Sequence, residues 1–327
     1  MNAFKVKYGL TTVLFLLCIF FARGASGDKK YDFVVDPSGN GDFRTVQEAI
    51  NAVPDFRENE TKIFIKNGKY KEKLVLPASK TNVTFIGESM TYTVLTYDDY
   101  ASKKNIFGEE METTASSSFF VFADDFKARN ITFQNSAGHV GKAVAIRIEG
   151  DRAVFVNCKF LGNEDTLYLY GNKSRQYYKN CYIEGTIDFI FGQSTAVFES
   201  CVINCKGEGY ITAASTQEET LYGFVFLNCR ITGRGNRQFH LGRPRRPYAK
   251  TVFLNCYMSK HVSPEGWNNG DKPEAEHSAF YAEYNSMGPG ANTEDRAPWS
   301  CQLNDRQAET YTVENILKGE DDWDPRK

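Results

Sequence analysis

From residue 155 onward the chain repeats one short pattern of apolar and polar positions. "FVNCKF" from Phe155, "YKNCYI" from Tyr178, "FESCVI" from Phe198, "FLNCRI" from Phe226 and "FLNCYM" from Phe253 alternate over five or six residues, the period of a strand. Turns rich in glycine and asparagine separate them. Their cysteines, Cys158, Cys181, Cys201, Cys229 and Cys256, follow at intervals of 23, 20, 28 and 27 residues. Strand-sized units at such a period predict a solenoid of stacked turns, with "TNVTFIG" and "ARNITF" as earlier rungs. Asn157, Asn180, Asn228 and Asn255 precede the cysteine in four units, with Ser200 in the fifth and Asn82 and Asn130 in the earlier rungs. These side chains are expected to hydrogen-bond along a ladder, and the cysteines to point inward as small buried thiols.

The ends of the chain break the pattern. "DFRTVQEAINAVP" carries a capping box, Thr45 and Glu48, before Val46, Ala49 and Ile50 at helical spacing, so a short helix should cap the first rung's open edge. After Cys256 the rung spacing is lost. Residues 266–299 read as long loops with one strand, "SAFYAEY", and "NDRQAETYTVENILKG" reads as a C-terminal helix.

Charge changes the picture by exclusion. With 39 Lys and Arg against 41 Asp and Glu, a net charge of -2, no basic excess recommends nucleic acid as a partner. Residues 1–27 place Lys5 and Lys7 before an apolar run from Val13 to Phe21 and small residues at Ala22, Gly24 and Ala25. That is an export signal, too short for a membrane span, and it leaves 28–327 as a single domain sent to the periplasm or the extracellular space. Its removal takes Cys18 with it and leaves seven of the eight cysteines, none in a zinc-spaced CxxC pair.

Within "EGTIDFIFGQSTAVFES", Asp188 stands among Ile187, Phe189, Ile190 and Phe191, a costly place for a charge without a partner. Stacking brings residues 20 to 30 apart in sequence to within one strand spacing, about 4.8 Å. Asp165 lies 23 residues before Asp188, the interval that separates Cys158 from Cys181, so the two carboxylates should occupy equivalent positions on adjacent rungs. One would ionise as nucleophile or base, and the other would stay protonated as acid, because like charges resist joint ionisation. Arg243, in "LGRPRRP", is suited to hold the ionised member with two hydrogen bonds.

The chain resembles the pectin methylesterases through "GDFRTVQEAINAVP", "GKYKEK", "NSAG", "KAVAIR", "EDTLY", "DFIFG", "LGRP", "EGW" and "FYAEYNSMGPGA". The resemblance implies an all-β fold, a right-handed parallel β-helix, and hydrolysis of methyl esters of galacturonate in pectin without metal or organic cofactor, by a protein expected to act as a monomer. It implies Asp188 as nucleophile, Asp165 as general acid and then base, and Arg243 as the residue orienting Asp188. Ser136 of "NSAG", Tyr168, Phe191 and Trp267 are implied substrate contacts, although Phe191 fits the core equally well. Three positions depart from the family pattern. Lys142 and Glu164 stand where the family has glutamines that donate to the developing oxyanion, and Arg245 stands where it has a tryptophan beside the sugar. Lys142 and Glu164, on neighbouring turns with opposite charges, are expected to pair. Between Leu221 and Lys250 lie Arg230, Arg234, Arg237, Arg243, Arg245, Arg246 and Lys250 with no acid, either a solvated strip or a surface for a polyanionic uronate polymer. Two alternatives stand beside the esterase: a polygalacturonate hydrolase or lyase on the same fold, since fold does not fix function, and a pectin-binding protein whose catalysis has decayed.

Overall fold

Alternation at period two becomes three parallel sheets wound as a β-helix in a computed structural model that describes residues 30–327 apart from 236 and 237. One coil shows the plan. The chain lays Arg175–Lys179 in an eleven-stranded sheet, Tyr182–Gly185 in an eight-stranded sheet and Ile190–Gly192 in a seven-stranded sheet, then returns to the first at Thr195–Glu199. Right-handed winding is the sense nearly all parallel crossovers take. Residues 31–327 make one compact unit, and among the described residues no helix is long and apolar enough to cross a membrane. The expected export signal lies outside the described residues.

Repetition in sequence becomes columns in space. Phe155, Tyr178, Phe198, Phe226 and Phe253 stack face to face through the core, with successive ring centroids 4.9, 4.7, 4.6 and 4.3 Å apart. Three residues on in each rung, the cysteines form a second column; all five are free and at most 2% exposed. They are core fillers, as expected.

The asparagine ladder is different from the expectation. Asn82, Asn130, Asn157, Asn180, Ser200, Asn228 and Asn255 share a left-handed backbone, with φ between 52° and 57°. Their amides form no continuous chain: Asn82 donates to the carbonyls of Arg57 and Glu58, and Asn255 accepts from Asn285. Asparagine recurs here because it tolerates the left-handed bend that ends each strand, where most side chains are strained.

Both ends hold local surprises. The capping helix forms at Val46–Ala52 with both capping-box bonds between Thr45 and Glu48 in place. Past Cys256 the first sheet continues, because Phe280–Tyr284 pairs with Lys250–Leu254 and Cys301–Gln302 pairs with it in turn. The expected C-terminal helix is two, Asp305–Ala308 and Val313–Leu317. The Thr312 side chain accepts from the Asn315 amide and caps a second start, which lets Val313, Ile316 and Leu317 bury against the first sheet.

Gly192 closes the rung that carries Asp188. Its φ is +125°, and a Cβ there would stand 1.9 Å from the Leu169 carbonyl oxygen, which is backbone and has no room to yield. Gly192→Ala is expected to destabilise the fold by about 2–3 kcal/mol, read as a lower urea midpoint.

Candidate active site

A row of side chains crosses the outer face of the seven-stranded sheet in strict register: Phe120, Arg147, Tyr168, Phe191, Ala213 and Arg243. Tyr168 and Phe191 stack with centroids 4.2 Å apart, and Val144, Phe191 and Ala213 form a small apolar floor separate from the main core. The Arg147 guanidinium lies 5.2 Å from the Tyr168 ring and 4.7 Å from that of Tyr170.

Asp165 and Asp188 sit just before two of these strands, in the turns that leave the eight-stranded sheet. Both have left-handed backbones, φ 64° and 50°, and the Asp165 amide donates to the Ile187 carbonyl at 3.1 Å. Equivalent slots on adjacent rungs thus bring the two carboxylates together, 1% and 4% exposed. Arg243 Nε and Nη2 donate to Asp188 Oδ1 and Oδ2 at 3.0 and 2.8 Å, and the guanidinium lies 4.2 Å from the Tyr210 ring.

Asp165 has no such cation. Its Oδ2 is buried without a hydrogen-bond partner. Burial first, then the charges of Asp188 and Glu164, push its pKa up to about 7, against the opposing charges of Lys142 and Arg245. One carboxylate is charge-paired and the other is held as an acid near neutrality, a division of labour suited to nucleophilic attack with proton transfer. Beside the pair, hollows of about 440 Å³, lined by Glu164, Ile187 and Glu208, and about 600 Å³, lined by Glu208, Tyr210 and His240, leave room for a polymer.

A family profile described as Pectinesterase matches residues 32–320. The chain belongs to the pectinesterase family. It is 43% identical over 299 residues to Pectinesterase 31 of Arabidopsis thaliana, covering 88% of this chain and 92% of that protein. Probable pectinesterase 8 of the same plant is 38% identical over 307 residues, covering 88% and 75%. Among solved structures, pectin methylesterase from carrot matches with a TM-score of 0.82 at 32% identity, covering 89% of this chain and 94% of that one. A pectin methylesterase in complex with a hexasaccharide matches at 0.79 and 32%, covering 91% and 99%.

In this pectinesterase the expected site residues do not all converge. Asp165, Asp188, Arg243, Tyr168 and Phe191 share one face, and Phe191, although 3% exposed, belongs to the outer floor and not the main core. Lys142 and Glu164 are neighbours through a parallel backbone bridge, and both act electrostatically on Asp165. No direct ion pair joins them, so the expected side-chain pairing is corrected. Ser136 lines an adjoining hollow of about 240 Å³ with Asn163 and Lys206, and its hydroxyl donates to the Tyr97 carbonyl.

Trp267 is the other correction: it is 2% exposed, its ring packs on Phe253 and Tyr281, and its Nε1 donates to Glu283, so it faces the core and not the sugar. Nor is the cationic strip continuous. Arg230 lies over Tyr257, Arg234 approaches Glu184, and Lys250 donates to the carbonyls of Glu218 and Thr220, on different faces of the coil; Arg237 lies outside the described residues. Tyr210 escaped sequence reasoning, although its place 22 residues after Asp188 put it one rung on. Lys272 escaped it too, because it lies where the rung spacing fails; its ammonium donates to the carbonyls of Pro244 and Arg245.

Proposed function

We propose that this pectinesterase hydrolyses methyl esters of galacturonate in pectin, with Asp188 attacking and Asp165 relaying protons. The observation that carries the reading is the asymmetry of two buried carboxylates on adjacent rungs, one clamped by Arg243 and the other with an unpartnered oxygen. Asp188 adds to the ester carbonyl. Collapse of the tetrahedral intermediate breaks the bond to methoxide, which takes the Asp165 proton and leaves as methanol. The acyl–aspartate that remains is cut by water, whose proton goes to Asp165; the hydroxide adds to the substrate carbonyl, and Asp188 departs as a carboxylate. Lys142 supplies positive charge to the oxyanion, and Glu164 offsets that charge in the free protein.

Tyr168 and Phe191 offer aromatic surface to the sugar, and Arg245 and Ser136 flank the polymer's path. The protein works as a monomer after export to the periplasm or the extracellular space. Family membership weighs against a chain-cleaving hydrolase or lyase. The intact trio of Asp165, Asp188 and Arg243 weighs against a decayed binding protein, since a dead site has little use for two buried carboxylates. Methanol release from methyl-esterified homogalacturonan or a branched pectin, without new reducing ends or unsaturated products, is the expected result. Chain shortening would overturn it in favour of the hydrolase or lyase, and binding without methanol in favour of decay.

A further inference from the structure

Arg243 clamps Asp188 from the last strand of its sheet. Phe239–Pro244 ends the seven-stranded sheet and has a full partner strand, Gly209–Ala214, on one side only. The irregular segment 262–270 takes the other side. Phe239 and Gly242 form isolated parallel bridges with Val262 and Trp267, and the amides of Ser263 and Asn268 donate to the Phe239 and Gly242 carbonyls at 2.8 and 3.1 Å. The Leu241 amide donates back to the Gly266 carbonyl at 2.7 Å. Farther on, Gly270 lies along the Arg243 side chain, so close that a Cβ there would stand 3.3 Å from Arg243 Cδ. One run of loop thus holds the strand by its edge and the arginine by its stem.

A loop with no sheet of its own needs another anchor, and this one is buried. Arg296 Nε and Nη2 donate to Glu283 Oε1 and Oε2 at 2.8 and 3.1 Å, with the two side chains 4% and 1% exposed. The same guanidinium donates to the carbonyls of Ser263, Pro264 and Gly290 at 3.3, 2.9 and 2.8 Å, while Trp267 Nε1 donates to Glu283 Oε1 at 3.2 Å. The pair is therefore bolted to the segment at Ser263, Pro264 and Trp267. Desolvation offsets much of the attraction in a buried pair, whose better-attested use is to fix one arrangement among several. Here the arrangement fixed is that of the segment against Arg243.

We propose that Glu283 and Arg296 are positioning residues for the reaction, which act through Trp267 and segment 262–270 to hold Arg243 where it clamps Asp188. The effect on rate rests on the esterase reading. The effect on Arg243 rests on the fold alone.

Both effects are measured on the whole protein. In the wild type the Nε–H of Arg243, bonded to Asp188, should give a sharp, slowly exchanging proton NMR signal, assigned by its loss in Arg243→Lys. Glu283→Gln keeps the side-chain shape and an acceptor for Trp267 but leaves the Arg296 charge unpaired. It should broaden the Arg243 signal and lower kcat for methanol release by about 10- to 100-fold, the scale of a misplacement of about 1 Å remote from the chemistry, with KM changing less. Arg296→Lys keeps the charge and loses the fork, so its effect should be intermediate. Trp267→Phe removes one bond to Glu283 and should have the smallest effect of the three.

Ile63→Ala, a cavity in the buried face of an N-terminal strand, is the control for stability lost elsewhere. It should lower the urea midpoint and leave the Arg243 signal and kcat in place. If Glu283→Gln does not fold, Arg296→Lys and Trp267→Phe carry the test. A wild type without the Arg243 signal, a signal unchanged in every folded variant, or losses that Ile63→Ala reproduces at an equal midpoint shift each overturn the positioning role. A signal that responds as expected in a protein that releases no methanol keeps the positioning role and loses the esterase reading.

Discussion

Asp188→Asn is expected to lower the rate of methanol release by at least about 10⁴-fold, because the amide keeps the shape of the side chain and loses the anionic oxygen that attacks. The fold should survive. Asparagine accepts the left-handed backbone that Asp188 adopts, as it does at Asn157 and Asn180, so circular dichroism should be unchanged. Arg243 would then face a neutral amide and lose a charge-assisted pair, a cost in stability smaller than the cost in rate. Retention of more than about a hundredth of the wild-type rate would remove Asp188 from the nucleophile's role, since proton transfer alone supplies only about 10²–10⁴-fold.

Asp165→Asn should separate activity from stability. The rate should fall by about 10²–10⁴-fold, while at alkaline pH the protein should become more stable. The sign follows from protonation. An unfolded aspartate ionises near pH 3.9, whereas burial and neighbouring carboxylates hold Asp165 protonated up to about 7. The folded chain therefore binds this proton more tightly. Its contribution to stability is fully present below about pH 4 and is lost as pH rises through about 7.

At pH 8 the ionised carboxylate costs the wild type up to about 4 kcal/mol, which the amide avoids. At pH 4 the two proteins should differ little. Urea midpoints at both pH values measure the contrast, and methanol release by the wild type should decline above about pH 7 as the acid is lost. A variant no more stable than the wild type at pH 8 would mean that Asp165 is not held as an acid.

Much of this site was legible before any coordinate, because a solenoid converts intervals in sequence into neighbours in space. The 23-residue step from Asp165 to Asp188 matched the step from Cys158 to Cys181, and the register of Tyr168 on Phe191 follows from the same interval. Where the rungs lose their period, the same reasoning failed. Trp267 and Lys272 lie in irregular loops, so no interval says which faces the core and which the cleft. The asparagines were placed correctly and explained wrongly, since a backbone preference and a side-chain ladder leave the same mark on the sequence. The basic run from Arg230 to Lys250 misled because neighbours along the chain are carried to different sheets within one coil.

The column of five cysteines bears on how the chain is made. Neighbouring thiols in it stand about one strand spacing apart, about 4.8 Å, yet all are free and sealed in the finished coil. Burial raises the pKa of Cys181 and Cys229, which keeps the reactive thiolate scarce. A nascent chain has neither protection. Exported into an oxidising compartment as proposed, it exposes these five thiols, with those of Cys205 and Cys301, to disulfide chemistry until the coil closes over them. A bond formed between the wrong pair would lock two strands out of register and halt the stacking of every later turn. Export as proposed thus sets coiling against oxidation, rung by rung.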